Sequence, residues 1–307
     1  MKIYAAPLQG HTEATWRRHH AAIFGGIDAY YAPFIRVEKG ETRRRDRADI
    51  AIEKNPGVAL VPQGLFRDAE EFRLIATAVT EAGHRALDLN LGCPFPPQTR
   101  RGRGAALIQN PQVIKEVAEV AAKEFPGLRL SVKTRLGMEN PGEWRGIIDA
   151  LNELRLERVA VHPRVARQQY GGELHTGEFE AFLEASVNPV VFNGGLATAT
   201  DIARTAERYP SLEGVMVGRG LLARPSLGAE WRDEKTVRDE ELREKILALH
   251  NAILEDYTET LCGDAQILAK IKPFWEYQEP DRLFSRKFLK QMRKATSMGK
   301  YLGALNG

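Results

Sequence analysis

Residues 88–104 read DLNLGCPFPPQTRRGRG and set Cys93 between Gly92 and a run of prolines, just ahead of several arginines. A cysteine kept for packing lies inside an apolar run, whereas this segment is too rich in Gly, Pro and Arg to be core. With an ordinary pKa of about 8.5, a thiol is mostly protonated at neutral pH, so without a base beside it Cys93 is a better proton donor than nucleophile. A nucleophilic thiol needs a histidine, and His162 is the only one at an expected strand end. The plain alternative is an incidental loop cysteine.

Three further stretches carry chemistry. In SVKTRLG, residues 131–137, Lys133 stands near the end of a buried strand. A buried ammonium there is costly unless it meets an anion or an electron-rich acceptor, or merely snorkels to solvent. VVFNGGLATATD at 190–201 and GVMVGRGLL at 214–222 each put a Gly-rich turn between a strand and a helix, where free backbone N–H groups can hold a phosphate. Arg219 in the second turn adds a bidentate anion contact.

These groups need a scaffold that gathers strand ends. Strand-like runs are expected at 2–7, 29–32, 58–63, 86–90, 128–135, 158–161, 189–193 and 214–217. Amphipathic helical stretches at 69–82, 111–123, 142–154 and 198–208 fall between them. Eight strands alternating with helices make the pattern of a (β/α)8 TIM barrel. An open doubly wound sheet shares the periodicity, but nearly every strand here ends in a polar or Gly/Pro signature, and only a barrel brings all those ends to one mouth. After Pro225 the alternation stops, and helices are expected at 236–258, 265–277 and 282–294. The expected organisation is a catalytic barrel over 1–232 and an all-helical unit over 236–307.

The composition, 43% hydrophobic and 28% charged in 307 residues, is that of a folded globular chain. There is no apolar run of membrane-spanning length and no signal-peptide pattern at the N-terminus, which gives the expectation of a cytoplasmic protein without membrane contact. Cys93 and Cys262 have no metal-ligand spacing, so no metal is expected. The first strand lacks GxGxxG, and neither GxxxxGK[ST] nor HExxH occurs, which removes the main support for a Rossmann fold, a P-loop NTPase or a zincin.

Charge is unevenly spread. Residues 266–307 hold nine Lys/Arg against three acids, +6 in a chain whose total is +3. Arg43, Arg44, Arg45 and Arg47 are expected in a loop after the second strand, and Arg100, Arg101 and Arg103 follow Cys93. Any one cluster reads as a solvated face; two on the mouth side plus a basic tail form an electrostatic footprint for a nucleic acid.

Taken in order, LNLGCPFPPQTRRGRGAALIQNP, SVKTRLG, VHPR, FNGG and GVMVGRGLLARP resemble the dihydrouridine synthases, flavoenzymes that reduce particular uridines in tRNA. The likeness runs from AAPLQGHT at residue 5 to Pro225, with an echo in AKIKPFW at 269–275. It implies FMN as cofactor, NADPH or NADH as reductant and tRNA as partner, with a monomer as the default state.

By position, Cys93 matches the acid that protonates C5 of uracil while hydride from flavin N5 reaches C6. Asn90 matches an asparagine near the uracil, and Arg135 and Arg164 are taken as substrate contacts. Lys133, Gln63 and His162 match side chains along the flavin ring, with Ala6 and Pro7 beneath it. Asn193, Gly194, Gly195, Gly218 and Arg219 match the phosphate loops. Arg43, Arg44, Arg100, Arg101, Lys272, Arg286, Lys287 and Arg293 are the expected RNA contacts.

Two departures bear on these roles. Members often read NGD or NGE where this chain has Asn193-Gly194-Gly195, and HGR or HAR where it has His162-Pro163-Arg164. The stretches at 32–37 and 269–275 look most like the bacterial C-type enzymes, which act on the D loop. The competing readings are an FMN barrel reducing a small enone or pyrimidine, and an RNA-binding barrel without redox activity.

Overall fold

The computed structural model describes residues 1–306. Its strands are β1 (Lys2–Ala5), β2 (Ala29–Tyr31), β3 (Ile35–Glu38), β4 (Glu41–Thr42), β5 (Leu60–Val61), β6 (Gln63–Leu65), β7 (Ala86–Leu91), β8 (Arg129–Gly137), β9 (Val159–Val165), β10 (Val190–Asn193) and β11 (Gly214–Val217). Neighbours run in the order β4-β3-β6-β7-β8-β9-β10-β11-β1-β2-β5, parallel throughout except for the β3–β4 hairpin.

The ring closes through one strand. β5 pairs with β2, and after Pro62 the same strand resumes as β6 and pairs with β7. The Pro62 carbonyl still accepts the Asp88 N–H. Counting β2 with β3 and β5 with β6 as single strands, eight parallel strands form the TIM barrel.

Period-two alternation sorts side chains to the two sides of its wall. Leu87, Leu89, Val159, Val161, Val190, Phe192, Val215 and Val217 point outward and pack against the helices. Tyr4, Tyr31, Val61, Ala86, Ala160, Val191 and Met216 fill the inside as a separate apolar cluster. Two residues beyond Val61, Ala86, Ala160 and Val191 the inward positions turn polar, at Gln63, Asp88, His162 and Asn193, and these strand ends form the mouth together with Ala6, Pro33 and Gly218.

The outer helices follow from capping and spacing. In helix Ala69–Glu81 the Asp68 carboxylate accepts the Glu71 N–H, and Phe72, Ile75, Ala76 and Val79 form one buried face. Helix Ala199–Arg208 starts with a Thr198–Asp201 capping box.

Several expectations need correction. The third strand lies about two residues later than expected, since Pro62 supplies no N–H and breaks the ladder. The arginines at 43–47 do not lie in an open loop: they follow the β3–β4 hairpin and mostly occupy helix Arg44–Asp49. β9 runs on through Pro163 to Val165, where the ladder with β8 shifts register, so the missing N–H falls at an irregularity.

Beyond Ala223 come the helices Leu227–Asp233, Asp239–Thr260, Asp264–Ile271, Arg286–Lys294 and Met298–Leu305, the first and last of them unexpected. The helix Asp239–Thr260 packs on the first barrel helix, Ala14–Ile23. Asp256 pairs with Arg18 and His19, Lys270 pairs with Glu13, and Gln278 donates to the Leu222 carbonyl at 3.0 Å. Among the described residues no helix is long and apolar enough to cross a membrane.

Candidate active site

A cavity of 760 Å³ opens at the C-terminal ends of the barrel strands. Into it converge Ala6 and Pro7 from the end of β1, Gln63 from β6, Asn90 and Cys93 from β7 and its loop, and Lys133 and Arg135 from β8. His162 and Arg164 come from β9, Asn193, Gly194 and Gly195 from the end of β10, and Gly218 and Arg219 from the end of β11. Positions two apart on one strand share a face, so Lys133 with Arg135 and His162 with Arg164 enter side by side.

Cys93 is held from three sides. Asn90 Oδ1 accepts the N–H groups of Gly92 at 3.1 Å and of Cys93 at 2.8 Å. Arg135 Nε donates to the Gly92 carbonyl at 2.9 Å. Behind the loop the Ala105 N–H donates to the Cys93 carbonyl at 3.1 Å. Gly104, at φ +63°, makes that approach possible, because a Cβ there would lie 2.7 Å from the Cys93 oxygen. Burial pushes the thiol pKa up, against the opposing pull of the Phe95 N–H, Arg135, Lys133 and Arg36. The group therefore remains SH at neutral pH, as a proton donor requires.

Beneath Cys93 a buried polar chain runs into the barrel. Asp88, fully buried, accepts from Ser131 Oγ at 2.7 Å and from Gln63 Nε2 at 2.7 Å. Gln63 Oε1 in turn accepts from Asn90 Nδ2 at 2.7 Å. Burial raises the Asp88 pKa to about 6, with the hydrogen bonds from Gln63 and Ser131 and the charge of Lys133 working the other way.

The mouth is strongly positive. Burial first and Arg135 second bring Lys133 down to about 8, and burial brings Arg135 down to about 10. His162 is buried among Arg135, Lys133, Arg164 and Arg219, which together with desolvation lower its pKa so far that the ring stays neutral. Against these cations the cavity wall carries, among the described residues, a single acid, Glu279. So unbalanced a pocket fits an anionic occupant.

The turns suit the same occupant. Gly194 and Gly195 take φ of +145° and +68°, and a Cβ on Gly194 would come within 2.9 Å of His162 Cδ2. Asn193 Nδ2 donates to the Met216 carbonyl at 2.7 Å, which ties this turn to the one carrying Gly218 and Arg219. A ring-bearing phosphate ester of flavin size therefore has volume, cationic side chains and open backbone turns in one place.

The basic residues divide into free and committed groups. Arg44, Arg100, Arg101, Arg286 and Lys287 are exposed, although Arg286 pairs with Asp281. Arg43 is half-buried beside Glu38. Arg103, expected with its neighbours on the surface, is buried and paired with Glu71 at 2.5 Å, with a further bond to the Val37 carbonyl. Arg293 donates to the carbonyls of Trp275, Glu276 and Gln278, and Lys272 to that of Ala295. Both basic groups brace the helical region, in place of the free phosphate contacts expected of them.

Sequence reasoning passed over several wall residues. Arg36 enters from the unexpected hairpin, and Tyr170 lies between the guanidinium groups of Arg135, at 5.5 Å, and Arg219, at 4.8 Å. His11, Tyr277 and Glu279 add a wall shared between the barrel and the C-terminal helices. Asp88 was legible, standing two residues before Asn90 on a strand with an outward leucine on either side of it.

A family model described as dihydrouridine synthase matches residues 4–293. Among curated relatives, a probable tRNA-dihydrouridine synthase of Staphylococcus epidermidis is 27% identical over 265 residues, covering 82% of this chain and 77% of that one. A probable tRNA-dihydrouridine synthase 2 of Bacillus subtilis is 28% identical over 264 residues, covering 82% and 78%. Among solved structures, morphinone reductase superposes with a TM-score of 0.55 at 12% identity over 77% of this chain and 87% of its own. The old yellow enzyme from Trypanosoma cruzi gives 0.55 at 11% over 81% and 93%. At such identities the structural likeness concerns the barrel fold.

Proposed function

The chain belongs to the dihydrouridine synthase family, and from that premise we propose that it is a flavin-dependent oxidoreductase that reduces uridine to 5,6-dihydrouridine in tRNA. We assign FMN to the mouth, with Lys133, Gln63 and His162 along its ring, Ala6 and Pro7 beneath it, and the two Gly-rich turns with Arg219 around its phosphate. When bound in reduced form, the flavin would supply hydride to C6 of the uracil. The chain's own residues do the rest.

Cys93 gives its thiol proton to C5, so the C5=C6 bond gains hydride at one end and a proton at the other. The thiolate left behind regains a proton from solvent. Asn90 and Arg135 fix the Cys93 loop, and the cationic wall around Lys133 would stabilise negative charge on a ring held there. To reach this depth the uridine must leave its stack. The exposed cations Arg44, Arg100, Arg101 and Lys287 then meet the RNA backbone.

NADPH or NADH would be the reductant, taking its turn at the mouth before RNA binds. We further assign the chain to the cytoplasm as a monomer, with a barrel unit over 1–232 and a helical unit over 236–307, and the substrate position to the D loop, the habit of the C-type enzymes.

The observation that carries this reading is the juxtaposition in one cavity of a thiol kept protonated and a lysine able to sit against an anionic ring. Tyr277 and Glu279, which bring the C-terminal helices into the cavity wall, favour it over a small-molecule reductase confined to the barrel. The test is nucleoside mass spectrometry of tRNA from cells with and without the gene. Loss of dihydrouridine at one D-loop position is expected; unchanged dihydrouridine in a strain lacking other synthases overturns the reading.

A further inference from the structure

Arg164 faces the cavity, but each of its three guanidinium nitrogens already has a partner inside the protein. Nε and Nη2 donate to the Gly172 carbonyl at 3.1 and 2.9 Å. Nη1 lies 3.0 Å from His162 Nε2. A guanidinium only donates, so the lone pair at that contact belongs to His162.

A neutral imidazole carries one proton, and with Nε2 accepting, the proton must be on Nδ1. Neutrality itself follows from the surroundings: Lys133 and Arg135 on β8, Arg164 on β9 and Arg219 after β11 all oppose a charge on the ring. Among the described residues no carboxylate pairs with it. Gly194 packs against the Cδ2–Nε2 edge, which leaves the Nδ1 edge turned elsewhere. His162 Nδ1 meets no partner among the described residues and is not among the buried unpartnered atoms. It therefore opens to the cavity that His162 lines.

We propose that Arg164 is a positioning residue, which locks His162 in its Nδ1–H tautomer and so presents a fixed N–H donor to an acceptor atom of the cofactor bound in the cavity. The inference rests on the flavin reading for the identity of that cofactor, but not for the tautomer. Gly172 completes the device by anchoring the guanidinium from the loop that follows β9, so the donor direction depends on a backbone carbonyl eight residues away.

The experiment is long-range proton–nitrogen NMR of the holoenzyme labelled at histidine, with FMN affinity measured by fluorescence quenching in parallel. In the wild type, His162 should show a protonated Nδ1 and an unprotonated Nε2 from pH 6 to 8. A protonated Nε2, or an imidazolium, overturns the proposal without any variant. Arg164→Leu should shift the tautomer toward Nε2–H and weaken FMN binding about tenfold or more, and Arg164→Lys should restore part of both. If Arg164→Leu keeps both the tautomer and the affinity, Arg164 does not position the ring. A wild type with the stated tautomer but no affinity for FMN would leave the positioning role standing and remove the flavin reading.

Discussion

The side-chain oxygen of Asn90 accepts the backbone N–H of Cys93 at 2.8 Å. That orientation is dictated from below. An ionised Asp88 only accepts, so Gln63 must turn its nitrogen toward it and its oxygen toward Asn90, which then has its own oxygen left for the Cys93 loop. The order of donors and acceptors along one chain of side chains thus sets the place of the thiol.

Replacing Asn90 by Ala should leave bound flavin spectrally intact and slow single-turnover reduction of tRNA about 100-fold, because a small displacement of the acid is enough to lose that much. Stopped-flow oxidation of the reduced flavin by tRNA is the check, and an unchanged rate would show that the loop holds Cys93 unaided.

Cys93→Ala should still bind FMN and accept electrons from NADPH, yet reduce uridine roughly 10²–10⁴-fold more slowly, the usual worth of a positioned acid. Full turnover on unmodified tRNA would sink the assignment.

Lys133 titrates near 8 in the ligand-free site. An anionic ligand beside it favours the ammonium, so its pKa rises on binding and protons are taken up where the free lysine is partly neutral. FMN affinity should therefore fall as pH rises through about 8. Calorimetry in buffers of different ionisation enthalpy measures that uptake; Lys133→Gln should abolish it.

Asp88 has a folded pKa of about 6 against an ordinary 3.8. A raised carboxyl contributes stability that is fully present below pH 4 and lost as pH rises through 6. By pH 7.5 the burial costs about 3 kcal/mol relative to acid conditions. Urea unfolding should show the wild type losing ground to Asp88→Asn between pH 4 and 7.5, and parallel curves would contradict this.

The two kinds of tail cation should separate in salt titrations. Lys287→Glu should lower tRNA affinity and reduce the salt slope by about 1–2, as loss of a phosphate contact does. Arg293→Ala strips the donor from three carbonyls, so its main effect should be a lower Tm. If Arg293→Ala leaves Tm unchanged but flattens the salt slope, that arginine faces RNA after all.

Much of the barrel was legible because its outward residues are apolar and nearly every strand ends in a polar or Gly/Pro residue, as with Gln63, Asn90, His162 and Asn193. The β3–β4 hairpin was not: Ile35 and Val37 alternate with Arg36 and Glu38 as a half-buried strand should, but over only four residues, too short a run to stand out. The last helix hides behind Gly299 and Gly303, poor helix formers that tertiary packing of Tyr301 overrides. The roles of Arg103, Arg164 and Arg293 were illegible for another reason. A surface arginine and one that satisfies carbonyls or a buried glutamate look alike in sequence, because the partner is set by the fold and not by spacing.

The ring of strands has a consequence for how the chain is made. β1 is flanked by β2 on one side and by β11 on the other. On the ribosome its second edge therefore waits for about 210 further residues, some 10–40 s at ordinary elongation rates of ~5–20 residues per second. Throughout that interval the nascent sheet is an open ribbon with an unpaired edge. The cavity wall waits longer still, until Tyr277 and Glu279 have emerged. Any cofactor therefore finds its full enclosure only after residues 277–279 have been made.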